Sequence, residues 1–138
     1  MHENPSDEQV EKLLNTSKII AVVGLSDNIS RDSFIVADFL KKKGYRIIPV
    51  NPSKDTIIGE KCYSDLRSIP EKIDIVDIFR NIEAVPGIVN EAINIKPGAI
   101  WLQEGLVHEE SAEKSKQNNI IFIQSLCIKK EHCRLLRK

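Results

Sequence analysis

The segment Lys18–Ser33, KIIAVVGLSDNISRDS, passes from an apolar run through Gly24 into a polar loop and then into a helix start. A strand-to-helix turn of this kind presents backbone N–H groups at the positive end of a helix, which suits a phosphate. The dinucleotide fingerprint G-x-G-x-x-G is met only at its first position, because Ser26 and Ile29 occupy the other two glycine places. Gly24 serves the tight turn. Ser26 would hold a pyrophosphate further off, or meet it with a hydroxyl. The loop therefore predicts a nucleotide ligand, held otherwise than NAD in its usual pose.

Further polar residues follow the other apolar runs: Asn51-Pro52, Phe79-Arg80, Gln103-Glu104-Gly105 and Gln124-Ser125. In a doubly wound sheet such strand ends face the ligand crevice. The same residue types are ordinary strand terminators. Asn51 stands where NAD-binding units usually place Asp or Glu for the ribose hydroxyls. A neutral amide does not repel a phosphate on that ribose, and Arg31, Arg46 and Lys54 lie near in sequence. The ordinary alternative is that Asn-Pro opens a turn. Arg80 can reach a phosphate with two parallel hydrogen bonds, or it can pair on the surface with Glu83. Asp74 and Asp77 interrupt the run IDIVDIF and are expected to cap or pair locally.

Catalytic constellations are thin. His2 lies in the terminus and His108 beside the start of a polar helix. His132 with Cys127 and Cys133 gives C-x-x-x-x-H-C, a spacing that fits no common zinc site. No G-x-S-x-G elbow and no H-E-x-x-H motif occurs. We assign no catalytic residue and no metal site. Cys127 follows the last apolar run, so it is either a reactive thiol beside the crevice or a cysteine packed against the end of the sheet.

The elements that must position these residues follow from periodicity. Ser6 and Gln9 form a capping-box pattern ahead of a helix over about 7–15. Strands are expected at Lys18–Val23, Tyr45–Val50, Ile73–Phe79, Ala99–Gln103 and Ile120–Ile123, with a short edge strand at Gly59–Tyr63. Between them lie a helix capped by Asp32 or Ser33 and ended by Gly44, a helix opened by Pro86, and a polar helix over Glu109–Asn118. A basic tail runs over about 127–138. Alternating strands and helices predict an α/β fold: a Rossmann-like, doubly wound, mostly parallel sheet in the order 3-2-1-4-5-6.

A chain of 138 residues, 41% hydrophobic and 29% charged, fits one folded domain over 1–138. Twenty basic against twenty acidic residues argue against binding nucleic acid or a membrane surface by bulk charge. The N-terminus lacks an apolar signal core and no stretch approaches membrane-spanning length. Three cysteines without a C-x-x-C pair read as reduced thiols in the cytoplasm.

The ordered set G-L-S…R-x-S…G-Y-x-I-x-P-V-N-P…D-I-V-D-x-F-R…W-L-Q-x-G resembles the small stand-alone CoA-binding proteins, from about Lys18 to about Ile123. Their fold is that of the CoA-binding domain in the α-subunit of succinyl-CoA synthetase. The resemblance implies coenzyme A, or an acyl-CoA, at the strand ends. Gly24, Ser26, Arg31 and Ser33 would match the phosphate loop, with Leu25 among them. Asn51 and Pro52 would lie by the adenosine, Phe79 and Arg80 on the next wall, and Gln103 beyond. The resemblance does not extend to the synthetase domain with the phosphorylated histidine, so ligase activity is not implied. The ending QSLCIKKEHCRLLRK departs from the family, which more often has Asp or Asn followed by Arg-Cys. The function expected is non-catalytic CoA binding. The alternatives are a nucleotide-dependent oxidoreductase or acyl-transfer enzyme at the same crevice, and a ligand-sensing module whose basic tail contacts a partner. A protein partner or a homo-oligomer is left open.

Overall fold

The computed structural model describes residues 1–136. In chain order the elements are α1 (Asp7–Thr16), β1 (Ile19–Val23), α2 (Asp32–Lys42), β2 (Arg46–Val50), β3 (Thr56–Ile57) and β4 (Glu60–Lys61). Then come β5 (Ile75–Ile78), α3 (Val85–Ile95), β6 (Ala99–Leu102), α4 (Glu109–Gln117), β7 (Ile121–Ile123) and α5 (Ile128–Leu135). The capping box read from Ser6 and Gln9 is made at the start of α1.

Five strands form one parallel sheet in the order β2-β1-β5-β6-β7. Their near-continuous apolar runs are what a sheet buried on both faces requires. Val10, Leu14, Val36, Leu40 and Ile128 pack one face, so α1, α2 and α5 lie there. Val85, Val89, Ala92 and Ala112 pack the other, beneath α3 and α4. The fold is Rossmann-like, as expected. From β1 the chain crosses to β2 and then returns past β1 to β5. The C-terminal ends of β1 and β5 therefore flank the crevice where ligands sit in such sheets.

Three expectations need correction. The sixth, outermost strand is not formed. Residues 59–63 supply β4, which pairs antiparallel with β3, and a single parallel bridge between Val50 and Tyr63. At that edge Tyr63 N–H donates to Pro49 O (3.0 Å) and Asn51 N–H donates to Tyr63 O (2.9 Å). Pro49 has no N–H to offer on the same edge, so the ladder stops after one step. The order is the expected one without its outer member.

Neither Asp32 nor Ser33 caps α2. Arg31 is the N-cap residue, with no side-chain capping bond, and the Ser33 hydroxyl turns inward to accept the Ser26 N–H (3.0 Å). The basic tail is largely a helix, α5. Ile128, His132 and Leu135 fall on one helical face. Arg134 ties that helix to α1 through Asp7 (2.8 Å) while also holding Glu131 (2.7 Å). Arg137 and Lys138, the end of the predicted tail, lie outside the described residues.

Candidate functional site

The turn after β1 is shaped by backbone conformation. Gly24 has φ +86°, and its N–H donates to Val50 O at 3.0 Å. A Cβ there would run into the carbonyl oxygen of Phe79 and stand 2.8 Å from Arg80 Cδ. Glycine thus serves both the left-handed turn and the close approach of the β1 and β5 ends. The loop beyond is held by its own side chains. Ser26 Oγ accepts the Asn28 N–H (3.0 Å), and Asn28 Oδ1 accepts from the Ser30 N–H (3.0 Å) and hydroxyl (2.7 Å).

Over this turn opens a crevice of ≈ 1220 Å³ between the β1–α2 loop, the end of β5, the end of β6 and the first turn of α5. Arg31, Arg80, Lys129 and Lys130 line it, against the carboxylates of Asp32 and Glu104. In a chain with no net charge this is a local excess of cations. Lys130 is held by Glu104 at 2.8 Å, and that bond pushes its ammonium above the usual range. Among the described residues the side chains of Arg31 and Arg80 have no ion-pair or hydrogen-bond partner. The crevice therefore offers two uncommitted guanidinium forks beside a strand-to-helix turn, an arrangement suited to phosphate oxygens.

Gly24, Ser26, Arg31, Ser33, Phe79, Arg80 and Gln103 all line this one crevice. Three of the predicted ligand residues do not. Leu25 is fully buried in the core. Asn51 spends its amide on the chain itself: Nδ2 donates to Leu25 O (3.0 Å), and Oδ1 accepts from the Ser53 N–H (2.9 Å) and hydroxyl (2.8 Å). Asn51-Pro52 is thus the turn of the ordinary alternative. The neighbouring cations are committed too, Arg46 to Glu71 (2.7 Å) and Lys54 to Asp27 (3.0 Å). The surface pair of Arg80 with Glu83 is not formed.

Lys129 and Lys130, whose charge the sequence sets beside Cys127, were not among the expected ligand residues because α5 was read as a tail, yet both line the crevice. Asp77, expected to cap or pair locally, does neither. Asp74 does not pair locally as expected: its Oδ2 reaches the neighbouring strand and accepts the N–H groups of Lys18 (2.8 Å) and Ile19 (2.9 Å) at the start of β1. Asp77 has no such partner. It lies fully buried in β5 between Val22 of β1 and Trp101 of β6, with both carboxyl oxygens unbonded. Burial pushes its carboxyl well above the usual range. Trp101 Nε1 donates to Leu126 O (2.8 Å), and Gln103 Oε1 accepts the Ile128 N–H (3.4 Å). These two bonds fasten the start of α5 to the end of β6. His108 caps α4, its Nδ1 accepting the Ser111 N–H (3.1 Å). Among the described residues no three His, Cys, Asp or Glu side chains are grouped to hold a metal ion, and no helix is long and apolar enough to cross a membrane.

A doubly wound parallel sheet with a cationic crevice at its switch point defines a small Rossmann-like domain. Within that class the chain belongs to the CoA-binding domain family, whose sequence model matches residues 18–133. It is 42% identical over 130 residues to YneT of Bacillus subtilis, a protein described as uncharacterized, covering 94% of this chain and 96% of that one. It is 33% identical over 110 residues to acetate–CoA ligase [ADP-forming] II of Archaeoglobus fulgidus, covering 77% of this chain but only 16% of the ligase. Among solved structures, a hypothetical protein from Pyrococcus horikoshii OT3 superposes with a TM-score of 0.91 at 33% identity, covering 99% of both chains.

Proposed function

We propose that this protein binds coenzyme A or an acyl-CoA in the crevice at the ends of β1 and β5, as a binding module without chemistry of its own. The observation that carries the reading is the pair of uncommitted guanidinium groups, Arg31 and Arg80, beside the Gly24 turn. CoA brings a diphosphate and a ribose phosphate, and charge-assisted bonds from arginine are the strong way to hold them. Cations, hydroxyls and amides line the crevice together with Asp32, Glu104, the Cys127 thiol and the apolar side chains of Ile35, Val36, Phe79 and Leu106, a mixed set that suits a ligand with both anionic and apolar parts. Asp77, the carboxyl most altered by the fold, is walled off by burial. Membership of the CoA-binding domain family supports the choice of CoA among nucleotides.

A thermal-shift panel of CoA, acetyl-CoA, NAD, NADP and ATP tests this. A ligand that binds only the folded chain adds about 2.7 kcal/mol at a hundred times its Kd. For a domain of this length that is a rise in Tm of roughly 5–15 °C. CoA or acetyl-CoA should give the largest rise. A rise with NAD or NADP and none with CoA would transfer the crevice to the oxidoreductase reading.

A further inference from the structure

One wall of the crevice is the first turn of α5, which is held by Ile128, Gln103 and the Arg134–Asp7 pair, and one turn further on α5 also buries a histidine against its neighbours. His132 is 7% exposed. Its ring stands edge-on to Phe39 of α2 and to Tyr45 at the start of β2, with centroids 5.4 and 5.8 Å away. Its Nδ1 is buried without a hydrogen-bond partner.

The charged groups around it are mostly cations. His132 shares a hollow of ≈ 300 Å³ with Lys43 from the end of α2 and Lys18 from the start of β1. Lys43 and Lys129 both stand 5.5 Å from the Phe39 ring that His132 touches. The Tyr45 hydroxyl is committed to Leu14 O at 2.5 Å. The carboxylates nearby are also taken: Glu131 and Asp7 both hold Arg134. A proton on His132 would therefore sit in a desolvated place facing ammonium groups. Burial, and secondarily Lys43, hold the imidazole below its ordinary value of about 6.5.

We propose that His132 is a pH-sensitive latch: neutral, it seats α5 on α1 and α2; protonated, it lets α5 lift, and one wall of the crevice goes with it. The consequence for ligand rests on the CoA reading above, whereas the latch itself does not. The sign follows from where the proton binds. The docked form keeps His132 neutral, and the opened form takes a proton at the ordinary value. Opening is favoured as the pH falls below about 6.5, by up to tenfold per pH unit. It levels off once the docked form also protonates.

The test is amide hydrogen exchange of α5 in the full chain near pH 7 and pH 5.5, corrected for intrinsic exchange and referenced to β1 and β5. CoA affinity is titrated alongside. The wild type should show α5 opening rise by up to about tenfold between the two conditions. His132→Leu, close in volume and without a titrating ring, should show no rise. Lys43→Met alters an exposed side chain and leaves the packed ring in place. It should reduce the rise by letting the docked form protonate sooner. Equal α5 exchange at the two pH values, or the same rise in His132→Leu, overturns the latch. CoA affinity should fall with opening in the wild type, fall less in Lys43→Met, and stay constant in His132→Leu. Constant affinity while α5 opens overturns the coupling to the crevice. No CoA binding at either pH overturns the CoA reading, and the exchange data alone then decide the latch.

Discussion

Replacing Asp77 by asparagine should stabilise the protein, by an amount that grows with pH. The carboxyl is fully buried between Val22 and Trp101, and neither oxygen finds a partner. In the unfolded chain it ionises near 3.8, and in the fold burial raises that value well above it. The raised value fixes the sign. Below about 3.8 both states hold the proton and Asp77 costs no more than any unbonded polar group. Above it the unfolded chain releases the proton, the fold keeps it, and stability falls as pH rises toward the folded value. The slope is about 1.4 kcal/mol per pH unit, so two units of this regime carry about 2.7 kcal/mol. Asparagine has nearly the same shape and an equally unbonded polar end, but it cannot ionise. The two proteins should therefore match near pH 4 and diverge above it. Asp7, Asp65 and Glu109 act in the opposite sense, because hydrogen bonds from Arg134, Ser68 and His2 lower their values. Both proteins share those groups, so the difference isolates Asp77. Urea unfolding at about pH 4, 5 and 6, read as midpoint times slope, measures it. Stability curves that run parallel across that range would refute the reasoning and mean that Asp77 is ionised or solvated in the fold.

The remaining predictions concern the crevice. Arg31→Ala and Arg80→Ala should each weaken CoA binding by about 1.5–3 kcal/mol, read by titration calorimetry, with folding stability changed by no more than about 0.5 kcal/mol. Gly24→Ala should lower folding stability by more than the ~1–2 kcal/mol of a left-handed alanine, because its Cβ also meets the Phe79 carbonyl; urea unfolding reads this directly. Of the three thiols, Cys62 is buried, Cys127 lines the crevice and Cys133 is exposed. Bound CoA should slow alkylation of Cys127, followed by peptide mass spectrometry, and leave Cys133 unchanged.

The parallel sheet was legible because each strand is an apolar, β-branched run closed by Gly, Asn, Arg or Gln, and each crossover carries a helical period. The outer strand was misread because nothing in GEKCY announces that its partner edge presents Pro49. The helix at the C-terminus was present as the spacing of Ile128, His132 and Leu135, but its lysines dominated the composition and gave a tail. In the crevice, Gly24 and the two arginines were legible because turn geometry and strand ends place them. Asn51 was not, since an amide that binds ribose and one that closes its own turn look alike in sequence. The fate of Asp77 was not legible for a related reason: whether a carboxylate in a strand meets an N–H, as Asp74 does, or is buried unbonded beside Val22 and Trp101 is decided by register.

The central claim is that the Gly24–Arg31–Arg80 crevice takes CoA. Its most direct test is calorimetric titration of the wild-type chain with CoA and, side by side, with NAD. Saturable binding of CoA, tighter than that of NAD and reduced by Arg80→Ala, is the result this account predicts. NAD binding the tighter of the two, or CoA binding that is indifferent to Arg80→Ala, would contradict it.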